Sequence, residues 1–293
     1  MSVDKQTIRT VVSKVGTLPT LPYVVTKLSK MLENPLVSAE EVNKVISSDQ
    51  ALTAKVLKLV NSAFYGFPGQ ISTVTHAVVI LGFSAVKSIA LSASVFDMFP
   101  MENKSLYFDR KKFWEHSIGC AVIARLLARR IRYHDEEEAF VCGLLHDIGK
   151  IILDQYLHDE FVQILQEVRE RDVTFLEAEQ VVMNCTHARI GSWLGEQWSL
   201  PAQLRDSIAH HHNPEQSNPE FTLSKLAHLA DAFTRAKGIG NSGDDLIHAV
   251  SREAWDILHI ADKDIPDLFD EIDVEIEKAE IFFTIISEMK SSS

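Results

Sequence analysis

The sequence contains little cysteine and no long hydrophobic run. Its three cysteines, Cys120, Cys142 and Cys185, are an odd number and lie far apart, which predicts free thiols packed as small core residues rather than disulfides. No stretch approaches the roughly 20 apolar residues that a membrane-spanning helix needs. The N-terminus also lacks the apolar core of a secretory signal. These absences predict a cytoplasmic protein without a membrane-bound part.

Positive charge is scarce as well. The 293 residues include 29 Lys and Arg against 41 Asp and Glu, a formal net charge of −12. Such a chain should repel nucleic acid and anionic lipid. The net charge does not exclude a local basic pocket for one small phosphate. The helix pair predicted over residues 38–62 has the length of a helix-turn-helix, but this charge argues against DNA binding.

Strand-like alternation is missing, and helical periodicity runs through nearly the whole chain. Apolar spacing predicts helices over residues 20–33, 112–132, 136–157 and 174–198, the last with a break near Cys185. This pattern predicts an all-α fold, arranged as one large domain or as two closely packed lobes.

Local signals mark several helix ends. Ser38 and Glu41 have the spacing of a capping box, and Ser48 and Asp49 can cap the helix that follows. Gly82 separates two apolar segments. The acidic tail around residues 262–280 carries an apolar stripe, which predicts a solvated helix docked by one face.

Histidine or aspartate interrupts the apolar faces of five successive predicted helices. His146 and Asp147 stand together in GLLHDIGK, predicted to lie in the middle of a helix. Buried polar groups need partners, and a metal ion would satisfy both. The other inward-facing candidates are His116, His187, His211, His212 and Asp231. A single inward histidine is more often a hydrogen-bonded core residue, so spacing alone leaves metal binding and a polar core both open.

Imidazole and carboxylate groups predict a divalent metal site for one or two ions, and they do not distinguish Fe, Mn, Zn, Mg or Ni. Asp147 has two oxygens and could bridge two ions, and Lys150, one turn after His146, could place a cation beside a bound phosphate. The remaining histidines are expected at the surface, with His210 ambiguous. They are His76, His134, His158, His210, His228, His248 and His259.

This constellation resembles the HD superfamily of metal-dependent phosphohydrolases. The resemblance implies that His116 is the first ligand, that His146 and Asp147 are the defining doublet with Asp147 bridging, and that Lys150 is the lysine of the HDxGK form. It assigns the additional histidines of two-metal members and the final aspartate to His187, His211, His212 and Asp231. In an enzyme of this type, Asp147 and Lys150 would be catalytic.

Three N-terminal segments narrow the resemblance to the HDOD family, the HD-related output domains. They are LPTLPYVVTKL at 18–28, SSDQALTAKVLKLVNSAFYG at 47–66 and ISTVTHAVVILGF at 71–83. The family implies an all-helical fold in which an N-terminal helical lobe packs on an HD-type lobe. It also implies bacterial signalling with protein partners. We expect the N-terminal lobe over residues 1–105, the metal-binding lobe over 106–238 and an acidic helical tail over 239–293.

The sequence departs from its relatives in two ways. Many HDOD members have lost the metal ligands, whereas this chain keeps the whole set. It lacks the GYP stretch of the cyclic-di-GMP phosphodiesterases, and Lys112 stands where three-metal relatives place a glutamate. The favoured interpretation is a signalling output module with a retained metal site. The alternative is a metal-dependent phosphohydrolase acting on a small phosphorylated ligand, a phosphomonoester or a phosphodiester, with cyclic di-GMP disfavoured by the missing GYP stretch.

Overall fold

A computed structural model describes residues 19–31, 37–99, 101 and 108–288, and this part of the chain is helical without a strand. Its first block contains α1 Tyr23–Met31, α2 Ala39–Ile46, α3 Gln50–Val60, α4 Val74–Leu81 and α5 Phe83–Met98. The second contains α6 Arg110–Arg130, α7 Glu136–Leu145, α8 Ile148–Tyr156, α9 His158–Arg171, α10 Phe175–Val182, α11 His187–Gln197, α12 Ala202–His210 and α13 Leu223–Ala236. Two more follow, α14 Arg252–Asp256 and α15 Ile265–Glu288. The predicted all-α class is confirmed.

Local chemistry explains where several helices begin. Ser38 caps α2 and exchanges hydrogen bonds with Glu41, the predicted capping box. The Asp49 carboxylate accepts from the backbone N–H of Leu52 at the start of α3. Between α4 and α5, Gly82 adopts a φ of +86°, a conformation that disfavours other residues. The predicted end of the first helix at residues 32–33, the first residue of the HDOD-like segment at 18–28 and the predicted lobe boundary at 105/106 lie outside the described residues.

The prediction of one helix over residues 136–157 is wrong. Helix α7 ends at Leu145, α8 begins at Ile148, and His146 and Asp147 form the turn between them. At Gly149 the backbone of α8 meets that of α11, because a Cβ there would lie 2.0 Å from the carbonyl oxygen of His187. The predicted break near Cys185 is confirmed, since α10 and α11 are separate helices.

Helix α6 forms the centre of the core. Phe113 and Trp114 on it are fully buried, and the helix packs against α7, α13 and α15. The acidic helix α15 docks by one face, as predicted, with Leu268, Ile272 and Phe282 buried. Among the described helices, none is both long and apolar enough to span a membrane.

Arg125 of α6 lies where three parts of the chain meet. Its side chain is 6% exposed, and its guanidinium lies 3.5 Å from the Glu137 carboxylate of α7 and 3.8 Å from the Glu275 carboxylate of α15. It also stacks over the Phe64 ring, 4.0 Å from the ring centroid. Cation–π contact and ion pairing thereby join the first helical block to the second and to the C-terminal helix.

Candidate metal centre

The turn between α7 and α8 directs one nitrogen of His146 into the protein. Its Nδ1 donates to the carbonyl oxygen of Gly143 at 2.7 Å, so Nε2 carries the lone pair. That Nε2 atom is buried and makes no hydrogen bond. Oδ1 of Asp147, the next residue, is likewise buried and lies 2.9 Å from Nε2 of His187. A buried acceptor without a hydrogen-bond partner is uncommon in protein interiors, and the His146 nitrogen belongs to a residue predicted as a ligand.

Two further histidines are oriented in the same way. His187 Nδ1 donates to Oε2 of Glu179 at 2.7 Å, and the His187 backbone N–H donates to Oε1 of the same carboxylate. His211 Nδ1 donates to the carbonyl oxygen of Ile208 at 2.9 Å. Each Nε2 atom is therefore left facing inward. Such hydrogen bonds from the outer nitrogen are how proteins orient metal-binding histidines.

These Nε2 atoms crowd together. The nitrogen of His187 lies 3.0 Å from that of His212 and 3.4 Å from that of His211. Lone pairs at these distances repel unless a proton or a cation lies between them. Burial lowers the pKa of His187, but Glu179 and Asp147 outweigh it and raise that pKa, so a proton can fill this role. A divalent ion could take its place, because tetrahedral nitrogen ligands lie about 3.3–3.4 Å apart.

A second group of ligand atoms forms on α6 and α13. His116 Nε2 lies 3.1 Å from Oδ1 of Asp231 and 3.4 Å from Sγ of Cys120. Together with His146, these residues place four ligand atoms within 4.8 Å of one another. The first group, Asp147, His187, His211 and His212, meets the same criterion.

Asp147 lies between the two groups. Its Oδ2 is 3.4 Å from His146 Nε2, and its Oδ1 is 2.9 Å from His187 Nε2. All seven predicted ligands, His116, His146, Asp147, His187, His211, His212 and Asp231, therefore meet in one place. The donor set fits one or two divalent ions.

The charges around Asp147 and Asp231 and the burial of His211 favour ligand-competent protonation states, whereas the raised pKa of His187 favours its protonated form. Burial alone would raise the pKa of Asp147, but Lys150 and the adjacent histidines outweigh it and hold that pKa well below its usual range. For Asp231, Arg235 and His116 similarly outweigh burial and lower the pKa. Burial lowers the pKa of His211 to about 4. Ionised carboxylates and neutral imidazoles are the forms that bind metals.

Lys150 is fully buried beside the doublet. Its ammonium lies 2.8 Å from Asp147 Oδ2 and 3.2 Å from Ser242 Oγ. The ammonium therefore neutralises Asp147 directly, and a phosphate would have to approach this same pair to use its charge. Arg235 plays the same part for Asp231, at 2.7 Å.

The site is closed to solvent on most sides. Six of the seven predicted ligands are 3% exposed or less, and only His212 is half-buried. His248 lies against His212, with 4.8 Å between ring centroids, and forms a candidate group with His212 and Asp231. These two half-buried histidines form the more exposed edge of the site.

Sequence reasoning missed several residues around the centre. Glu179 shares the apolar face of Phe175 and Val182, a signal that could have revealed it. The prediction that His228 lies at the surface is wrong, because it is 5% exposed. His228 Nδ1 donates to the His211 carbonyl, and its Nε2 accepts from a backbone N–H. His248 was also expected at the surface and is instead half-buried beside the ligands.

Comparison with known families gives one extended match. The sequence profile of the HDOD domain matches residues 18–214. An HDOD domain protein of unknown function from Geobacter sulfurreducens has a crystal structure that superposes with a TM-score of 0.80. Its sequence is 27% identical, and the alignment covers 97% of each chain.

Two more crystal structures share the fold. A candidate signal-transduction protein from Marinobacter aquaeolei is 22% identical with a TM-score of 0.80, over 98% of this chain and 66% of that one. A candidate phosphohydrolase from Shewanella amazonensis is 23% identical with a TM-score of 0.68, over 97% and 98% of the two chains.

Curated relatives are longer proteins. An uncharacterized Treponema pallidum protein is 25% identical over 230 residues, 76% of this chain and 44% of the relative. Ribonuclease Y of Deinococcus radiodurans is 30% identical over 123 residues, 42% of this chain and 16% of the relative. The chain thus spans less than half the length of these relatives.

Proposed function

This chain belongs to the HDOD domain family, and on that premise we propose that it is a signal-transduction module whose second helical block is held by a divalent metal centre. The observation that carries the proposal is the burial of the ligand set. Structural metal sites are closed and fully surrounded by protein ligands, whereas catalytic sites keep a position open to substrate. Here the inward-facing Nε2 and carboxylate oxygen atoms lie beneath the surface, and His212 is the half-buried member of the set.

Residues from several separate helices would hold the ion or ions. They are His116, His146, Asp147, His187, His211, His212 and Asp231. Binding would tie α6, α11 and α13 to the turn between α7 and α8 and so fix their relative positions. A partner protein that recognises this helical surface would then bind the loaded form in preference to the empty one. The naming of a fold relative as a signal-transduction protein agrees with this role.

A second candidate function is a metal-dependent phosphohydrolase, favoured by the buried Lys150 ammonium next to Asp147. A bound divalent ion would supply Lewis-acid activation and neutralise phosphoryl charge. Lys150 would keep Asp147 ionised and oriented, and His212 and His248 would contact a substrate at the solvent-facing edge. Ribonuclease Y, which is a hydrolase by name, is similar in sequence to part of this chain. A candidate phosphohydrolase is similar to this chain in fold.

Elemental analysis of the purified full chain, followed by a phosphoester panel, separates the two functions. The panel contains phosphomonoesters and linear and cyclic phosphodiesters, each with and without added Mn²⁺ or Fe²⁺. Bound metal without turnover supports the signalling module. Hydrolysis that disappears in Asp147→Asn establishes the phosphohydrolase and overturns a purely structural metal. Protein that is metal-free and takes up no added ion overturns both.

A further inference from the structure

Cys120 faces the candidate metal centre, although it is not one of the predicted ligands. It follows His116 by four residues on α6, so the two side chains share one face of the helix. Its Sγ lies 3.4 Å from Nε2 of His116. The sulfur also lies within 4.8 Å of the ligand atoms of His146 and Asp231, and the residue is fully buried.

The separation between sulfur and nitrogen matches a shared ion. Zinc binds thiolate sulfur at about 2.3 Å and imidazole nitrogen at about 2.0–2.1 Å, so in a tetrahedral site these ligands lie about 3.5 Å apart. The observed distance between Cys120 Sγ and His116 Nε2 is 3.4 Å. Independently, the buried Nε2 atom of His146 belongs to the same group and lacks a hydrogen-bond partner.

A core thiol is the competing explanation. Cys120 Sγ donates to Oγ1 of Thr234 at 3.3 Å, and that hydroxyl donates in turn to the carbonyl oxygen of Ala230. This bond accounts for Cys120 but leaves the His146 nitrogen without a partner. Cys142 offers a contrast, because its buried thiol donates to a backbone carbonyl and belongs to no candidate ligand group among the described residues.

We propose that Cys120 is a thiolate ligand, completing a site with His116, His146 and Asp231 that takes Zn²⁺ in preference to Mn²⁺ or Mg²⁺. This inference rests on the metal centre of the proposed function and specifies one of its subsites. On binding, Sγ donates an electron pair to the ion and the thiol proton is released to solvent, with no change of oxidation state. Thiolate selects soft ions such as zinc, whereas carboxylate and water suit Mg²⁺ and Mn²⁺. Four protein ligands would also close this subsite, as in structural zinc sites.

Cobalt substitution tests the assignment by absorption spectroscopy. The full chain is stripped of metal, loaded with Co²⁺ and compared with Cys120→Ser and with Cys142→Ser, a matched buried thiol outside the site. We expect a thiolate-to-cobalt charge-transfer band in the near ultraviolet for the wild type and for Cys142→Ser. The band should be absent from Cys120→Ser. Competition titrations should show the Zn²⁺ over Mn²⁺ preference falling at least tenfold, since even outer-shell changes cost about 10–100-fold in affinity.

The outcomes distinguish this inference from the proposed function. Co²⁺ that binds without the band, or a band that persists in Cys120→Ser, overturns the thiolate ligand and leaves the metal centre standing. A chain that binds no Co²⁺ or Zn²⁺ overturns both. Circular dichroism checks that the serine variant folds, and Cys120→Ala replaces it if it does not. If neither Cys120 variant folds, Cys142→Ser and Cys185→Ser together decide the question, because a band that persists in both must come from Cys120.

Discussion

Replacing Gly149 by alanine should damage the metal centre without touching a ligand. In an ordinary helix this change is favourable by about 1 kcal/mol. Here the new Cβ would lie 2.0 Å from the His187 carbonyl oxygen and 2.9 Å from the backbone nitrogen of Gly191. Both contacts are backbone, so no side-chain rotation can relieve them.

The distance by which α8 and α11 must separate determines the size of both effects. To restore an ordinary contact of 3.4 Å, α8 and α11 must separate by about 1.4 Å. Overpacking of this kind costs about 1–3 kcal/mol. Metal-ligand distances tolerate only about 0.2 Å, so His187, the first residue of α11, would leave the ligand set. We expect Gly149→Ala to lower stability. We also expect it to weaken metal binding by more than the roughly 10–100-fold that the loss of an outer-shell partner usually costs.

Urea denaturation of the metal-free chain and calorimetric metal titration measure the two effects separately. Gly195→Ala, also in α11, is the matched control, because its Cβ would meet the side-chain Cγ of Arg205 at 3.2 Å rather than backbone atoms. That variant should bind metal normally and change stability by no more than about 1 kcal/mol. If Gly149→Ala is as stable as the wild type and binds metal unchanged, the close contact between α8 and α11 does not position His187.

Three further predictions concern the ion, its supporting residue and the core. Chelation of the metal from the loaded chain should lower the free energy of unfolding by about 2.7 kcal/mol when the free ion had been held at 100 times Kd. Thermal denaturation measures this change, and Asp147→Asn should show no such change on chelation. Glu179→Gln should weaken metal binding about 10–100-fold by calorimetry, while Glu196→Gln on the exposed face of α11 leaves it unchanged. Arg125→Met should cost about 3 kcal/mol in urea denaturation because it leaves a largely buried Glu137 without its cation, whereas the exposed Arg129→Met should cost under about 1 kcal/mol.

Residue types and helical spacing were sufficient to predict the fold class and many helix ends. Capping depends on neighbours three residues apart, so the capping box of Ser38 and Glu41 can be read from the sequence. The turn at His146 and Asp147 could not be predicted from the sequence, because the apolar spacing continues from Leu145 to Ile148 across it. Directly after this turn, at Gly149, the backbone of α8 meets that of α11, about 40 residues further along the chain, and local spacing carries no sign of that contact.

The burial of His228 and His248, which were expected at the surface, could not be predicted from the local sequence either. His228 bonds to the His211 carbonyl and the Ser251 amide, groups 17 and 23 residues away. His248 lies in a segment with no helical period, and only its position beside His212 reveals it. By contrast, the residues of the candidate ligand set could be selected from the sequence because each interrupts an apolar face, although that spacing alone left a metal site and a polar core both open.

The ligand atoms come from positions as distant as His116 and Asp231, on elements that contact one another only after the second block has assembled. Closing such long loops is entropically costly, and each local segment offers only one or two of the ligands. No short fragment of the chain can therefore assemble this set of ligands. Uptake of the ion would follow the docking of the helices in time, so the rate at which a refolding chain acquires metal would measure the last steps of its folding.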